Sequence, residues 1–212
     1  MVSNEKLRAI GFRITAPDST RKVSSRTSAD IESTLLEAIQ DAPQDGRLAS
    51  LIFTWLQVHG AYVNVERFAK LARSIEAPLV RGYAAFAAEH CGAKWSKLAR
   101  RSKEPVYLYP QELTESAVRL KGANELLKKV NVIVPSDAIR IRERDVFTPQ
   151  ELAHISRQYR NRYLYGPSWR ADIITAIESG AASPSEVMRM VGCSYEPAHR
   201  VFREYKLARE AA

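Results

Sequence analysis

The side chains best suited to ligand chemistry lie in SYEPAHRVFREYK, residues 194–206. Four apolar residues recur there at the spacing of one helical face: Ala198, Val201, Phe202 and Tyr205. The opposite face then carries six polar side chains: Tyr195, Glu196, His199, Arg200, Arg203 and Lys206. A basic row for phosphates, with side chains near the helix start that reach base edges, is typical of a DNA recognition helix. We therefore predict that this face binds duplex DNA.

The six residues have different expected roles. Arg200 and Arg203 can donate to the acceptor edge of guanine, and Tyr195 can contact a thymine methyl group or a phosphate. A plainer interpretation also fits the pattern, because the exposed face of many surface helices is basic without binding anything.

The residues before this helix predict how the chain positions it. Ser183-Pro184-Ser185-Glu186 is a capping box that opens a short helix through Val187 and Val191. Gly192 supplies a tight bend, and Ser194 can cap the next helix. The pattern resembles a helix-turn-helix unit over residues 167–212, although Met188 stands where that pattern usually has alanine. We expect no β-wing to follow, so DNA reading would rely on helix insertion, in a homodimer.

Two further stretches are candidates for phosphate contact. AKWSKLARRSK, residues 93–103, places Lys94, Lys97, Arg100 and Arg101 opposite Trp95 and Leu98. RQYRNRYLYG, residues 157–166, adds Arg157 and Arg160, and its alternation of Arg and Tyr suits single-stranded nucleic acid. Helical spacing gives a simpler interpretation of the second stretch, with tyrosines inward and arginines outward. STRKVSSRTS, residues 19–28, is either a basic arm or a solvated linker.

A second unit near the N-terminus resembles the C-terminal one in spacing. Gly60-Ala61 and Gly180-Ala181 each follow an apolar helix and precede a glutamate and a residue that can cap the next helix, Asn64 in the first stretch and Ser183 in the second. We therefore predict two helix-turn-helix-like units. In the first unit, APLVRGYAAF is too apolar to read DNA. Either the basic residues 93–103 contact phosphates in its place, or this apolar stretch forms a dimerisation or partner surface.

The middle of the chain has a strand-like amino-acid pattern. VYLY (106–109), VNVIV (130–134) and AIRIRER (138–144) are strand-like, and Pro135-Ser136-Asp137 predicts a hairpin turn between the last two. Thr148-Pro149-Gln150-Glu151 is a capping box for one helix reaching about Tyr165, with Leu152, Ile155, Tyr159 and Tyr163 as its apolar stripe.

The predicted fold is mainly α with a small antiparallel β element. Four segments result: an arm and short helix (1–45), a helical domain (46–103), a mixed α/β domain (104–166) and the C-terminal unit (167–212).

Composition narrows the class of protein. The 212 residues carry a formal charge of +8 and a pI near 9.6, which favours a polyanionic partner. No apolar run approaches a membrane span, and no secretory signal is recognisable, so we expect a cytoplasmic protein. The two cysteines and four histidines have no zinc-site spacing, and no nucleotide-binding or nucleophile motif occurs. We predict no enzymatic activity, no metal and no cofactor.

Taken whole, the chain resembles AbiEi-type antitoxins, bacterial regulators encoded beside nucleotidyltransferase toxins. The resemblance rests on LASLIFTWLQVHGAYVNVERFAKLARS, the mixed middle and the junction RNRYLYGPSWRADIITAI. It implies a winged-helix domain that binds operator DNA and a separate domain for dimerisation and toxin neutralisation. Here the clearer DNA-binding unit is C-terminal. Two alternatives remain: a protein-interaction module that clamps a partner such as a toxin without specific DNA binding, and an RNA-binding factor that uses RQYRNRY.

Overall fold

Capping side chains divide the chain into short helices. The computed structural model describes residues 1–14, 29–75 and 78–210, so the stretch 19–28 lies outside the described residues. Asp30, Asn64, Thr148 and Ser183 each accept a hydrogen bond from the backbone N–H three residues later. Each bond satisfies a donor that the first helical turn leaves unpaired. The predicted cap at Asn64 and the predicted capping box at Thr148 are therefore confirmed.

Helices dominate the described residues, and we number them in chain order. They are α1 (Asn4–Ala9), α2 (Ile31–Asp41), α3 (Gly46–His59), α4 (Val65–Ala72), α5 (Val80–Cys91), α6 (Gln111–Lys121), α7 (Glu125–Lys128), α8 (Pro149–Ile155), α9 (Arg157–Tyr165), α10 (Trp169–Glu178), α11 (Pro184–Val191) and α12 (Tyr195–Glu210). Within the same residues, no helix combines the length and the apolar character that a membrane span requires.

The larger hydrophobic core reaches from Val2 to Tyr159. The helix α3 runs through it with apolar residues on most of its faces, and Trp55 is fully buried with its indole N–H donating to the Ile10 carbonyl at 2.7 Å. The apolar residues of α5 pack into this same core. They are therefore unavailable as the dimerisation or partner surface that the sequence suggested.

The β element is parallel, so the prediction of an antiparallel hairpin is wrong. Strand β1 (Val106–Tyr107) pairs with β2 (Val132–Ile133), and the connection between them contains α6 and α7. Residues 138–142 form no strand, because hydroxyl groups on α3 take the place of a strand partner. Ser50 Oγ donates to the Ala138 carbonyl at 3.2 Å and accepts from the Arg140 N–H at 3.1 Å. One turn later, Thr54 Oγ1 accepts from the Arg142 N–H at 3.2 Å.

The single helix predicted from Thr148 to Tyr165 is two helices, α8 and α9. Ser156 has extended backbone angles, and its hydroxyl accepts from the Tyr159 N–H, so it ends α8 and caps α9. The break changes which side chains face the core. Ile155 is exposed, although the predicted apolar stripe placed it inside.

The last three helices enclose a smaller, separate core that reaches from Ile173 to Phe202. Gly192 follows α11 with a φ of 79°, a left-handed conformation that favours glycine, and α12 begins after a turn of residues 192–194. The N-terminal stretch of similar spacing lacks this turn. Its short helix α4 also has eight residues, but Arg73, which follows it, has right-handed backbone angles, and α5 begins only at Val80.

Candidate nucleic-acid interface

The outward face of α12 consists of the six side chains that its periodicity predicts. Tyr195, Glu196, His199, Arg200, Arg203 and Lys206 are all exposed, whereas Ala198, Val201 and Phe202 are buried. The rings of Tyr195 and His199 stack with centroids 5.7 Å apart. Lys206 Nζ lies 4.9 Å from the centroid of the Phe202 ring. The face thus has an aromatic end near the start of α12 and a basic row beyond it.

Arg200 and Arg203 have no ion-pair partner in the part of the chain that the structure describes. They are three residues apart, so both guanidinium groups project from neighbouring turns of one face. A neighbouring arginine differs, because Arg170 Nη1 bonds the Glu204 carboxylate at 2.5 Å beside this face. Both guanidinium groups can therefore bind an external acceptor.

The turn before α12 is held by two cations from α4. Lys70 Nζ donates to the Gly192 carbonyl at 2.6 Å, and Arg67 Nε donates to the Val191 carbonyl at 3.0 Å. Cations near the C-terminus of a helix satisfy its last carbonyls and interact favourably with its dipole. Because α4 belongs to the larger core, these bonds fix the turn relative to the main body of the protein.

A buried ionic network joins the two cores. Arg162 is fully buried and bonds Glu32 through Nη1 to Oε1 at 2.5 Å and through Nη2 to Oε2 at 2.7 Å. Its Nε and Nη2 also donate to Asp172 Oδ1 at 2.9 and 2.7 Å. Glu32 lies on α2, Arg162 on α9 and Asp172 on α10, so one guanidinium connects three helices. Burial alone would lower the pKa of Arg162, but Glu32 and Asp172 outweigh it and hold the pKa above its ordinary value.

Arg67 on α4 and Asn64, which caps that helix, extend this network. Arg67 Nη1 bonds Glu32 Oε2 at 2.8 Å and Asp30 Oδ2 at 2.5 Å. Asn64 donates from its backbone to Glu32 and from Nδ2 to Asp172, at 3.0 and 2.8 Å. Burial favours a lower pKa for Arg67, yet the carboxylates of Asp30, Glu32 and Asp172 raise it. Each buried charge therefore has several partners, as charges in a protein interior require.

The expected arrangement of RQYRNRYLYG, tyrosines inward and arginines outward, is only partly correct. Tyr159 is buried, but Arg162 is buried beside it, while Tyr163 and Tyr165 are 46% and 51% exposed. Burial removes Tyr159 and Arg162 from contact with any nucleic acid. The sequence offered no local sign of this, because the carboxylates that neutralise Arg162 lie 130 and 10 residues away.

The candidate phosphate contacts fall into four groups. Arg160 is exposed, whereas Arg157 caps α10, since its Nη1 donates to the Glu178 carbonyl at 2.6 Å. Lys94, Lys97 and Arg100 are exposed and line one groove of about 1280 Å³, which Arg73 and Arg81 also line. Arg101 is exposed outside that lining. The stretch around Lys94 is a 3₁₀ segment, Ala93–Lys97, anchored by buried Trp95.

The titratable groups of the interior have structural partners. His59 Nδ1 lies 2.8 Å from the Tyr159 hydroxyl and Nε2 lies 2.9 Å from the Phe147 carbonyl; burial lowers the pKa of His59 to about 4. A neutral ring that accepts from Tyr159 and donates to Phe147 fits these contacts. Burial raises the pKa of the Cys91 thiol to about 11. Among the described residues, no group of three or more His, Cys, Asp or Glu side chains is placed to hold a metal ion.

Comparison with protein-family models, curated proteins and solved structures found no match to this chain.

Proposed function

We propose that this protein is a sequence-specific DNA-binding transcriptional regulator that reads duplex DNA with α12. The observation that carries the proposal is the pair of exposed arginines, Arg200 and Arg203, without ion-pair partners in the described chain. They lie on a helix that follows a short left-handed turn at Gly192. That geometry supports a helix-turn-helix in which α11 precedes the recognition helix α12.

The polar face of α12 suits the major groove. An α-helix fits this groove, and an arginine there can donate two hydrogen bonds to O6 and N7 of guanine. Arg200 and Arg203 would take this role. Tyr195, at the start of α12, would contact a thymine methyl group or a phosphate, and Lys206 would contact the backbone farther along.

The contacts of α10 and of the turn before α12 support a recognition helix that is already held in place before DNA binds. Arg67 and Lys70 hold the successive carbonyls of Val191 and Gly192 at the start of the turn, and the Arg162 network ties α10 to the main body. A helix held in this way loses little freedom when it enters DNA, which lowers the entropic cost of binding.

We further propose that the regulator acts as a cytoplasmic homodimer and as the antitoxin of a toxin–antitoxin pair that represses its own operon. Segment 167–212 would bind DNA and the preceding segments would meet the second copy or a toxin. This part of the proposal rests on the resemblance to AbiEi-type antitoxins and on the basic charge.

A second candidate function is a protein-interaction module without specific DNA binding. Its support is the exposed face of α6, where Leu113 and Leu120 are 70% and 85% exposed. These leucines lie seven residues apart, so they share one face of the helix. A partner protein that packs on this face would bury both side chains, as contacts at protein interfaces do.

A mobility-shift titration of the full chain against the DNA upstream of its own gene, repeated across salt concentrations, separates these functions. The regulator predicts nanomolar binding that prefers this DNA over an unrelated duplex and weakens steeply with salt. In an Arg200→Ala/Arg203→Ala variant, we expect at least an ~30-fold loss of affinity and of preference, since each base contact contributes about 1–3 kcal/mol.

The matched control is Arg119→Ala/Lys129→Ala, which removes two exposed cations from elsewhere on the chain. It should retain sequence preference. Unchanged binding by the Arg200→Ala/Arg203→Ala variant would contradict the assignment to α12. Absence of DNA binding, together with capture of the neighbouring gene's product, would favour the interaction module.

A further inference from the structure

A groove lies between α4, the segment 93–100 and the start of α10. The duplex binding that we propose for α12 does not involve it. Its volume is about 1280 Å³. Pockets for small molecules are typically about 300–1,000 Å³, so this groove is large for a single small ligand. It follows α4 from Glu66 to Arg73, and the eight residues of α4 span about 12 Å.

The described lining of the groove carries a positive net charge. Its described lining contains five cationic side chains and one carboxylate; the cations are Arg73, Arg81, Lys94, Lys97 and Arg100. None of the five has an ion-pair partner among the described residues, and Arg81 bonds only the Ser102 hydroxyl, at 3.0 Å. The carboxylate, Glu66, accepts the Trp169 indole N–H at 3.0 Å. Five like charges around one concavity repel each other, and a polyanion would relieve that repulsion.

The apolar part of the lining limits which polyanion fits. Ala72, Leu98 and the half-buried Trp169 contribute to it. Unpaired bases can lie on apolar and aromatic side chains while their phosphates meet a basic rim. The bases of a duplex are stacked inside the helix and cannot do so, and inorganic phosphate has no apolar part to place there.

We propose that this groove binds a single strand of nucleic acid, with its phosphates on the five cations and its bases against Trp169 and the neighbouring apolar side chains. About 12 Å of groove accommodates roughly three stacked bases at ~3.4 Å each. The site is separate from α12, so it does not depend on duplex reading. A DNA strand and an RNA strand share the chemistry that the groove recognises.

Intrinsic fluorescence of the full chain tests this proposal. Trp55 and Trp95 are buried and Trp169 is half-buried at the groove, so quenching by a bound strand should come mainly from Trp169. Titration with a ten-residue oligothymidylate, and with an oligouridylate of the same length, should quench the fluorescence. A duplex of the same length should quench it far less. The two single-stranded titrations show whether the groove prefers DNA or RNA.

Variants locate the site. Lys94→Ala/Lys97→Ala/Arg100→Ala should weaken single-strand binding at least tenfold. Arg119→Ala/Lys128→Ala/Lys129→Ala removes the same charge outside the groove lining and should change it less than threefold. Trp169→Phe should lose most of the quenching while fluorescence anisotropy of a labelled strand still reports binding.

Three results would overturn the proposal: equal losses in the two triple variants, duplex binding at this groove as tight as single-strand binding, or single-strand binding that disappears in Arg200→Ala/Arg203→Ala. The last variant also separates the two proposals. If it abolishes duplex binding and leaves the oligothymidylate affinity unchanged, the groove and α12 are independent sites.

Discussion

Replacing Arg162 with methionine should destabilise the protein far more than the same change at Arg160 on the same helix. The guanidinium of Arg162 makes four hydrogen bonds of 2.5–2.9 Å to two buried carboxylates, those of Glu32 and Asp172. Methionine keeps an unbranched, flexible stem but provides no charge and no donor. The carboxylates would then keep only the donors supplied by Arg67 and Asn64.

The magnitude follows from the burial of all three groups. Arg162, Glu32 and Asp172 are each less than 5% exposed. Removing one partner of a buried ion pair typically destabilises a protein by about 3–5 kcal/mol, because the remaining charge stays desolvated. For a chain of this size, about 2–4 °C per kcal/mol gives a melting temperature lower by roughly 6–20 °C.

Urea unfolding followed by far-ultraviolet circular dichroism measures the free energy of unfolding of Arg162→Met. The matched control is Arg160→Met, because Arg160 is exposed on the same helix two residues away, and its change should stay within about 0.5 kcal/mol. An Arg162→Met variant within about 1 kcal/mol of the parent would refute the reasoning. An Asp172→Asn/Arg162→Met cycle should also show coupling, with the double variant less destabilised than the sum of the single changes.

Two further predictions concern buried rings. Burial lowers the pKa of His59 to about 4, so between pH 6.5 and 4 the unfolded chain binds a proton that the folded chain does not. The contribution of neutral His59 to the free energy of unfolding should therefore be fully present above pH 6.5 and fall by about 3 kcal/mol towards pH 4. Urea unfolding at several pH values should show this loss, and the same loss in His59→Gln would assign it elsewhere. The Tyr83 hydroxyl is buried without a hydrogen-bond partner in the described structure, so Tyr83→Phe should leave stability unchanged or raise it by about 1 kcal/mol. By contrast, Tyr159→Phe removes the bond to His59 and should lower the melting temperature; equal shifts for both variants would contradict this account.

The two faces of α12 could be predicted because its packing is local. Ala198, Val201 and Phe202 are buried against α10 and α11, which are their nearest neighbours along the chain. In such a unit the 3.6-residue period alone decides which side chains face solvent. The capping side chains at Asn64 and Thr148 were predictable for the same reason, since each bonds a backbone group three residues away.

The sequence could not show that the predicted hairpin is absent, because its absence depends on hydrogen bonds from a distant helix. Residues 138–144 alternate as an edge strand does, and nothing in that stretch shows that Ser50 and Thr54 supply its hydrogen bonds. The hydroxyls lie four residues apart on α3, which matches two successive turns of the helix to alternate residues of the extended chain. Periodicity identifies an extended segment but not its hydrogen-bond partner.

The burial of Arg162 could not be predicted either, because its carboxylate partners are not its neighbours in sequence. Its position also shows what an ionic junction between the two cores provides. Apolar surfaces can slide against each other with little change in energy, whereas a planar guanidinium that bonds two carboxylates accepts few orientations. The junction between α9 and α10 uses this geometry, and Arg67 adds a bond to the last carbonyl of α11. The orientation of α12 on the main body is thus set by directional bonds. For the base-reading role that we propose for α12, orientation matters more than the stability that an equally large apolar contact would provide.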